Sequence, residues 1–195
     1  YETDANTVLF LHGDEIPGST SIKDSSLSGK AITANGNAKI AGAGKIGNAM
    51  SFDGTGDYLT IPDSDDFDLG TGNFSMEAWV NVLSVPLVSR IISQGDVETS
   101  NGDWTLGYGP RWGGGTKINF AIRSGGVLYD YTSSAITINI NTWHHIALIR
   151  SGSTFYYFID GVQAGTSVSS YALTSSQIVY VGARKEPAEV AEFQN

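Results

Sequence analysis

Asn73-Phe-Ser-Met-Glu-Ala-Trp-Val-Asn-Val82 alternates apolar and polar residues along its whole length. In an extended chain successive side chains point to opposite faces. Phe74, Met76, Ala78, Val80 and Val82 then share one face, and Ser75, Glu77, Trp79 and Asn81 share the other. Such alternation predicts a half-buried β-strand. Trp79 is the exception on the polar side. It lies either on an open sheet face or under a loop.

Working outward, similar runs predict strands at Thr7 to His12, Ala49 to Asp53, Tyr58 to Ile61, Arg90 to Gln94 and Trp104 to Tyr108. Further strands are expected at Lys117 to Ser124, Val127 to Thr132, Thr142 to Arg150, Thr154 to Ile159 and Ile178 to Ala183. Asn35-Gly36, Asp53-Gly54, Asn101-Gly102, Gly125-Gly126, Ser151-Gly152 and Asp160-Gly161 are turn signals between them. Ten or more short strands at this spacing describe an all-β, two-sheet antiparallel sandwich. With no linker or change of composition, residues 1–195 read as one domain. The chain opens on Tyr1 without a signal-peptide pattern, so it is expected to belong to a longer polypeptide.

Composition narrows the function. Hydrophobic residues make up 41% of the 195, enough for a packed core rather than a disordered chain. The formal net charge of -9 disfavours nucleic acid, whose phosphates need clustered Lys and Arg. No apolar run reaches the roughly 20 residues of a membrane span, so no membrane insertion is expected. The absence of cysteine excludes disulfides, thiolate metal sites and cysteine nucleophiles. The acidity is concentrated early, with 12 acidic and 4 basic residues in 1–77. Asp63, Asp65, Asp66 and Asp68 suit a capped helical turn over Asp63 to Leu69. They also suit a Ca²⁺ loop, although Phe67 at the fifth position breaks the EF-hand pattern.

Binding chemistry is densest at Asp103-Trp-Thr-Leu-Gly-Tyr-Gly-Pro-Arg-Trp112. Sugars need flat aromatic surfaces for C–H faces and polar groups for hydroxyls. Trp104, Tyr108, Arg111 and Trp112, with Tyr131 on a following strand, are the candidate ligand-binding set. In the alternative reading Trp104 and Tyr108 pack in the core and only Trp112 is exposed. His144 and His145 are strand neighbours and point to opposite faces, so they cannot chelate one ion together. Neither a G-x-S-x-G elbow nor a phosphate-binding Gly-rich loop is present.

Several segments together resemble the laminin-G-like, concanavalin A-like jelly-roll domains. Thr7-Val-Leu-Phe-Leu-His-Gly-Asp14 with Asp24-Ser-Ser is similar to the family's first strand and loop. Lys45-Ile-Gly-Asn-Ala-Met-Ser-Phe-Asp-Gly-Thr-Gly-Asp-Tyr58 is similar to its G-x-A-x-x-F-D-G-x-x-D-Y segment. Phe74 to Val80, Trp143-His-His-Ile-Ala147 and Phe158-Ile-Asp-Gly-Val162 resemble its later strands and hairpin. These matches occur in order and cover nearly the whole chain.

The resemblance implies a jelly roll and a possible structural Ca²⁺ held by Asp14, Asp24, Asp53 and Asp57, unless Asp53 and Asp57 merely build a tight turn. It also implies a closing strand paired with Thr7 to His12. Here Glu192-Phe-Gln-Asn195 matches only the start of that segment, so the missing strand is expected from beyond residue 195 or from a neighbouring chain. Glucanases of the superfamily carry E-x-D-x-x-E on a strand, whereas the central strand here offers Glu77 alone. Glu189-x-x-Glu192 lies beyond the last expected strand. Retaining hydrolysis needs two carboxyl groups roughly 5 Å apart, so no enzyme is expected.

The family implies a lectin-like binding or adhesion module on a secreted, cell-surface or virion protein, with a glycan or cell-surface polysaccharide as partner. The alternative is a structural domain of a phage or filament assembly that contacts neighbouring subunits.

Overall fold

The computed structural model describes residues 3–83, 89–109, 117–133 and 138–183. The strand quoted first forms as β5, Phe74–Asn81. Its partner β10, Trp143–Ser151, is followed by β11, Thr154–Ile159, and β12, Val162–Val168. These four make an antiparallel sheet in the order β12-β11-β10-β5. Asp160-Gly161 closes the β11–β12 hairpin with both residues at positive φ, 51° and 76°, as a primed two-residue turn requires.

The second sheet has seven antiparallel strands in the order β1-β4-β13-β6-β7-β8-β9. Its members are β1 (Thr33–Asn35), β4 (Tyr58–Ile61), β6 (Ser89–Gln94), β7 (Trp104–Tyr108), β8 (Ile118–Ser124), β9 (Val127–Thr132) and β13 (Val179–Val181). A small ribbon pairs β2 (Lys39–Ala41) with β3 (Ala49–Ser51). The expected Asp63 to Leu69 turn appears as a single 3₁₀ turn, Asp65–Phe67. Its Ser64 cap accepts from the Asp66 amide, and Phe67 is buried beneath it.

The core fills the space between the two large sheets. Phe74, Met76, Ala78, Val80 and Val82 face it, as their alternation requires, opposite Trp104, Leu106, Tyr108, Phe120 and Ile122. Phe155 lies 5.2 Å from Phe120 and 6.1 Å from Phe74, ring centre to ring centre, and links the layers. Arg150 is buried near this cluster. Its guanidinium donates to the carbonyls of Gly152, Gly70 and Ser169 at 3.1, 2.9 and 3.3 Å. Burial lowers its pKa, and the three carbonyls solvate the charge that water would otherwise hold.

One expected strand is absent. Thr7 to His12 makes an isolated bridge at Leu11 with Asp24 and joins neither large sheet. The Asp24 carboxylate takes the Phe10 amide at 2.9 Å, and the Ser25 amide donates to the Phe10 carbonyl at 2.8 Å. The loop therefore satisfies backbone groups that a neighbouring strand would have taken. The expected closing segment at Glu192 to Asn195 lies outside the described residues.

Candidate functional site

Of the proposed ligand set, Trp104 and Tyr108 follow the alternative reading and pack in the core. Trp104 is 1% exposed and Tyr108 is fully buried, both within the core. This follows from β7 being covered on both faces. The Trp104 indole donates to Gln94 Oε1 at 2.9 Å, while Gln94 Nε2 donates to Asp63, Ser175 and Gln177. Burial pushes the Tyr108 hydroxyl up to about 12. Tyr131 pairs with Phe120 in register and stacks on Phe155 at 6.1 Å, so it too packs against the core. Arg111 and Trp112 lie outside the described residues.

Asp24, Asp53 and Asp57 work as loop organisers. Asp24 accepts four hydrogen bonds, from the amides of Phe10, Ser26 and Lys30 and from the Ser26 hydroxyl, at 2.7–2.9 Å. Burial alone would raise its pKa, but these donors outweigh it and hold the carboxyl below its ordinary value. Asp57 is buried and accepts from the amides of Asn37 and Asp53, while Asp53 accepts from the Thr55 amide. Asp14 is exposed, 3.9 Å from His12. Among the described residues no three His, Asp or Glu side chains form a group that could hold a metal. A calcium ion wants six to eight free oxygens. Asp24, Asp53 and Asp57 already accept N–H donors, and among the described residues these carboxylates do not gather in a group of three that would fit the ion. Asp53 and Asp57 instead line an open polar depression of about 340 Å³ with Asn37, Lys39, Thr20 and Ser51.

The face of the seven-stranded sheet turned away from the core is polar. Register places Arg90, Gly107, Asn119 and Thr132 in one cross-strand row, and Ser93, Thr105, Ala121 and Asp130 in another. Arg90, Ser93, Thr105, Asn119 and Ala121 have no exposed surface. Thr105 Oγ1 and both polar atoms of the Asn119 side chain have no hydrogen-bond partner among the described residues.

The opposite outer face, on the four-stranded sheet, is open. Cross-strand pairing sets Trp79 beside His145, Glu77 beside Ala147, and Asn81 beside Trp143; Phe158 and Tyr156 continue the face on β11. Trp79 is 37% exposed. Its ring lies 5.2 Å from the His145 ring, tilted by 52°. The Lys45 ammonium stands 4.9 Å over the indole from the turn before β3. His145 Nε2 is 3.3 Å from Glu77 Oε2, and its backbone amide donates to Asp160. Trp79, Lys45, His145 and Glu77 thus put a flat apolar surface, a cation and hydrogen-bonding groups within one patch. That combination suits a polyhydroxylated ring.

A family model described as the concanavalin A-like lectin/glucanases superfamily matches residues 53–194. The chain belongs to this superfamily. Solved structures carry the same fold at low sequence identity. The binding domain of Paraclostridial mosquitocidal protein 1 superposes with a TM-score of 0.72 at 13% identity, over 92% of this chain and 45% of that one. Domain 4 of the arabinanase AbnA from Geobacillus stearothermophilus, in complex with arabinotriose, gives 0.65 at 18%, over 90% and 82%. The binding domain of botulinum neurotoxin DC in complex with SialylT gives 0.64 at 14%, over 92% and 44%. No curated protein matches the sequence.

Within this superfamily fold the open patch is built from residues that the sequence reading left apart. Alternation turns Trp79 away from its own apolar row and puts His144 and His145 on opposite faces without saying which is the outer one. The adjacency of Trp79 and His145 follows from the antiparallel register of β5 and β10. No local signal could have placed Lys45 above them.

Proposed function

We propose that this domain is a non-catalytic, lectin-like module that binds glycans, with Trp79 as the stacking platform. The observation that carries the reading is an exposed indole on an open sheet face, ringed by Lys45, His145 and Glu77. Indole offers a sugar's C–H face an apolar, electron-rich surface, and the surrounding groups donate to and accept from its hydroxyls. The solved relatives whose descriptions name arabinotriose and SialylT support the same class of partner. A secreted, cell-surface or virion protein is the setting in which such a module meets a polysaccharide.

Bond cleavage is not part of this reading. Glu77 faces Ala147 across the strand pair and Phe158 beyond it. Its carboxylate is engaged by His145, so no strand of this sheet places a second acid opposite it for hydrolysis.

A glycan array probed with the domain and its Trp79→Ala variant tests the proposal. Binding that falls at least about tenfold in the variant, with an unchanged circular dichroism spectrum, supports it. Equal binding by both proteins removes Trp79 from the site, and turnover of any polysaccharide removes the non-catalytic assignment.

A further inference from the structure

We infer that the sugar taken at Trp79 carries a carboxylate, for which Lys45 is the counter-ion. The inference rests on Trp79 being the glycan platform and adds the chemical class of its ligand.

Lys45 is exposed, yet it is presented by a defined turn. The Gly44 amide donates to the Gly47 carbonyl at 2.9 Å, and Gly47 adopts a positive φ of 65°. Asn48 Nδ2 anchors the end of this turn to the Glu15 carbonyl at 3.0 Å. The ammonium therefore projects from a held position over the indole. Among the described residues no carboxylate pairs with it, although the chain has 20 acidic residues against 11 basic ones. The nearest acid on the patch, Glu77, is already matched with His145. Among the described residues the patch thus presents one ammonium that has an aromatic face beneath it and no carboxylate partner.

A cation over an exposed ring is held only weakly, because water competes for it. That contact is weak enough to be exchanged. A uronic- or sialic-type ring stacked on Trp79 would displace the ammonium sideways and meet it with its own carboxylate. The cation–π contact is then replaced by a charge-assisted hydrogen bond, which is stronger than a bond between neutral groups. A neutral sugar displaces the same ammonium and offers no anion in return. Glu77 opposes the incoming carboxylate and sets the strength of the preference.

The test is an NMR titration of the ¹⁵N-labelled domain, following the Trp79 indole N–H assigned with Trp79→Phe. Two matched probe pairs are used: methyl glucuronide against methyl glucoside, and sialyllactose against lactose. For at least one pair the acidic member is expected to bind about tenfold more tightly, and K45Q to bring the two within about twofold. E77Q should widen the difference, and raising the salt should narrow it, as expected for an exposed ion pair. Equal shifts from the acidic and neutral members of both pairs, unaltered by K45Q, overturn the carboxylate assignment and leave Trp79 as a glycan platform. No movement of the Trp79 signal with any of the four probes at about 50 mM, far into the weak-binding range, overturns both. The remaining backbone signals show in each case whether the variant is folded.

Discussion

His144 Nδ1 lies 2.7 Å from Asp160 Oδ2, and its Nε2 accepts the Asn139 amide at 3.1 Å. The buried imidazole therefore ties the turn before β10 to the β11–β12 hairpin. With Nε2 accepting, the proton sits on Nδ1 and is donated to Asp160. Asp160 also receives the His145 amide at 2.9 Å, which holds the strand that presents His145 beside Trp79.

This link should be visible in acid. Burial alone would raise the Asp160 pKa, but the bonds from His144 and His145 outweigh it and hold the carboxyl below its ordinary 3.8. A depressed folded-state value stabilises the fold above the unfolded pKa and is lost as pH falls through the folded value. Asp160→Asn keeps a residue that tolerates the positive φ of 51°. Because Asp160 is nearly half exposed, the loss at pH 7 is expected to be only about 1 kcal/mol. Urea denaturation of both proteins should show that difference persisting above about pH 5 and closing towards pH 3.

Calcium offers a second check. Asp24 serves four donors and Asp57 serves two backbone amides. EDTA followed by excess calcium is therefore expected to leave Tm unchanged, whereas Asp24→Ala should cost about 3 kcal/mol through three abandoned backbone amides. A Tm that climbs by several degrees with calcium would return these aspartates to a metal site.

Gly36 is a position where glycine is required. Its φ is 66°, and a Cβ there would overlap Asp57 Oδ1 and the Gly56 carbonyl. Gly36→Ala is expected to destabilise the domain by about 2 kcal/mol or more. Thermal unfolding would detect this directly, and a near-neutral result would mean that the Asn37–Asp57 contact is not holding the two loops together.

Thr105→Val should move stability the other way. The Thr105 side chain is fully buried, and its hydroxyl has no hydrogen-bond partner among the described residues. A buried hydroxyl without a partner costs about 1 kcal/mol or more, and valine preserves the shape. The variant is expected to be as stable as the parent or about 1 kcal/mol more stable in chemical denaturation. A clear loss would assign the hydroxyl a partner.

Much of the architecture was legible in short stretches. β4, β7, β9 and β11 form with the boundaries expected from alternation, and β5 differs from expectation by one residue at each end. Three strands were missed for identifiable reasons. β1 and β2 have three residues each, too few to show a period, and β12 mixes Gln163, Gly165, Thr166 and Ser167 without an apolar row. Thr7 to His12 has the composition of a strand, but the side chain of Asp24 competes successfully for its backbone.

The site was less legible, and the tryptophans show why. The sequence leaves open whether Trp104 packs in the core or meets a ligand, and whether Trp79 lies on an open face or under a loop. Chain periodicity by itself determined that these are strands and which side chains share a face, since that depends only on local backbone geometry. It could not determine which face would be covered. Trp104 is sealed because both faces of β7 are buried, and Trp79 is left open because the four-stranded sheet packs on one face only. Burial depends on elements that arrive from elsewhere in the chain, as does the Lys45 ammonium above Trp79. Only tertiary packing brings such residues together.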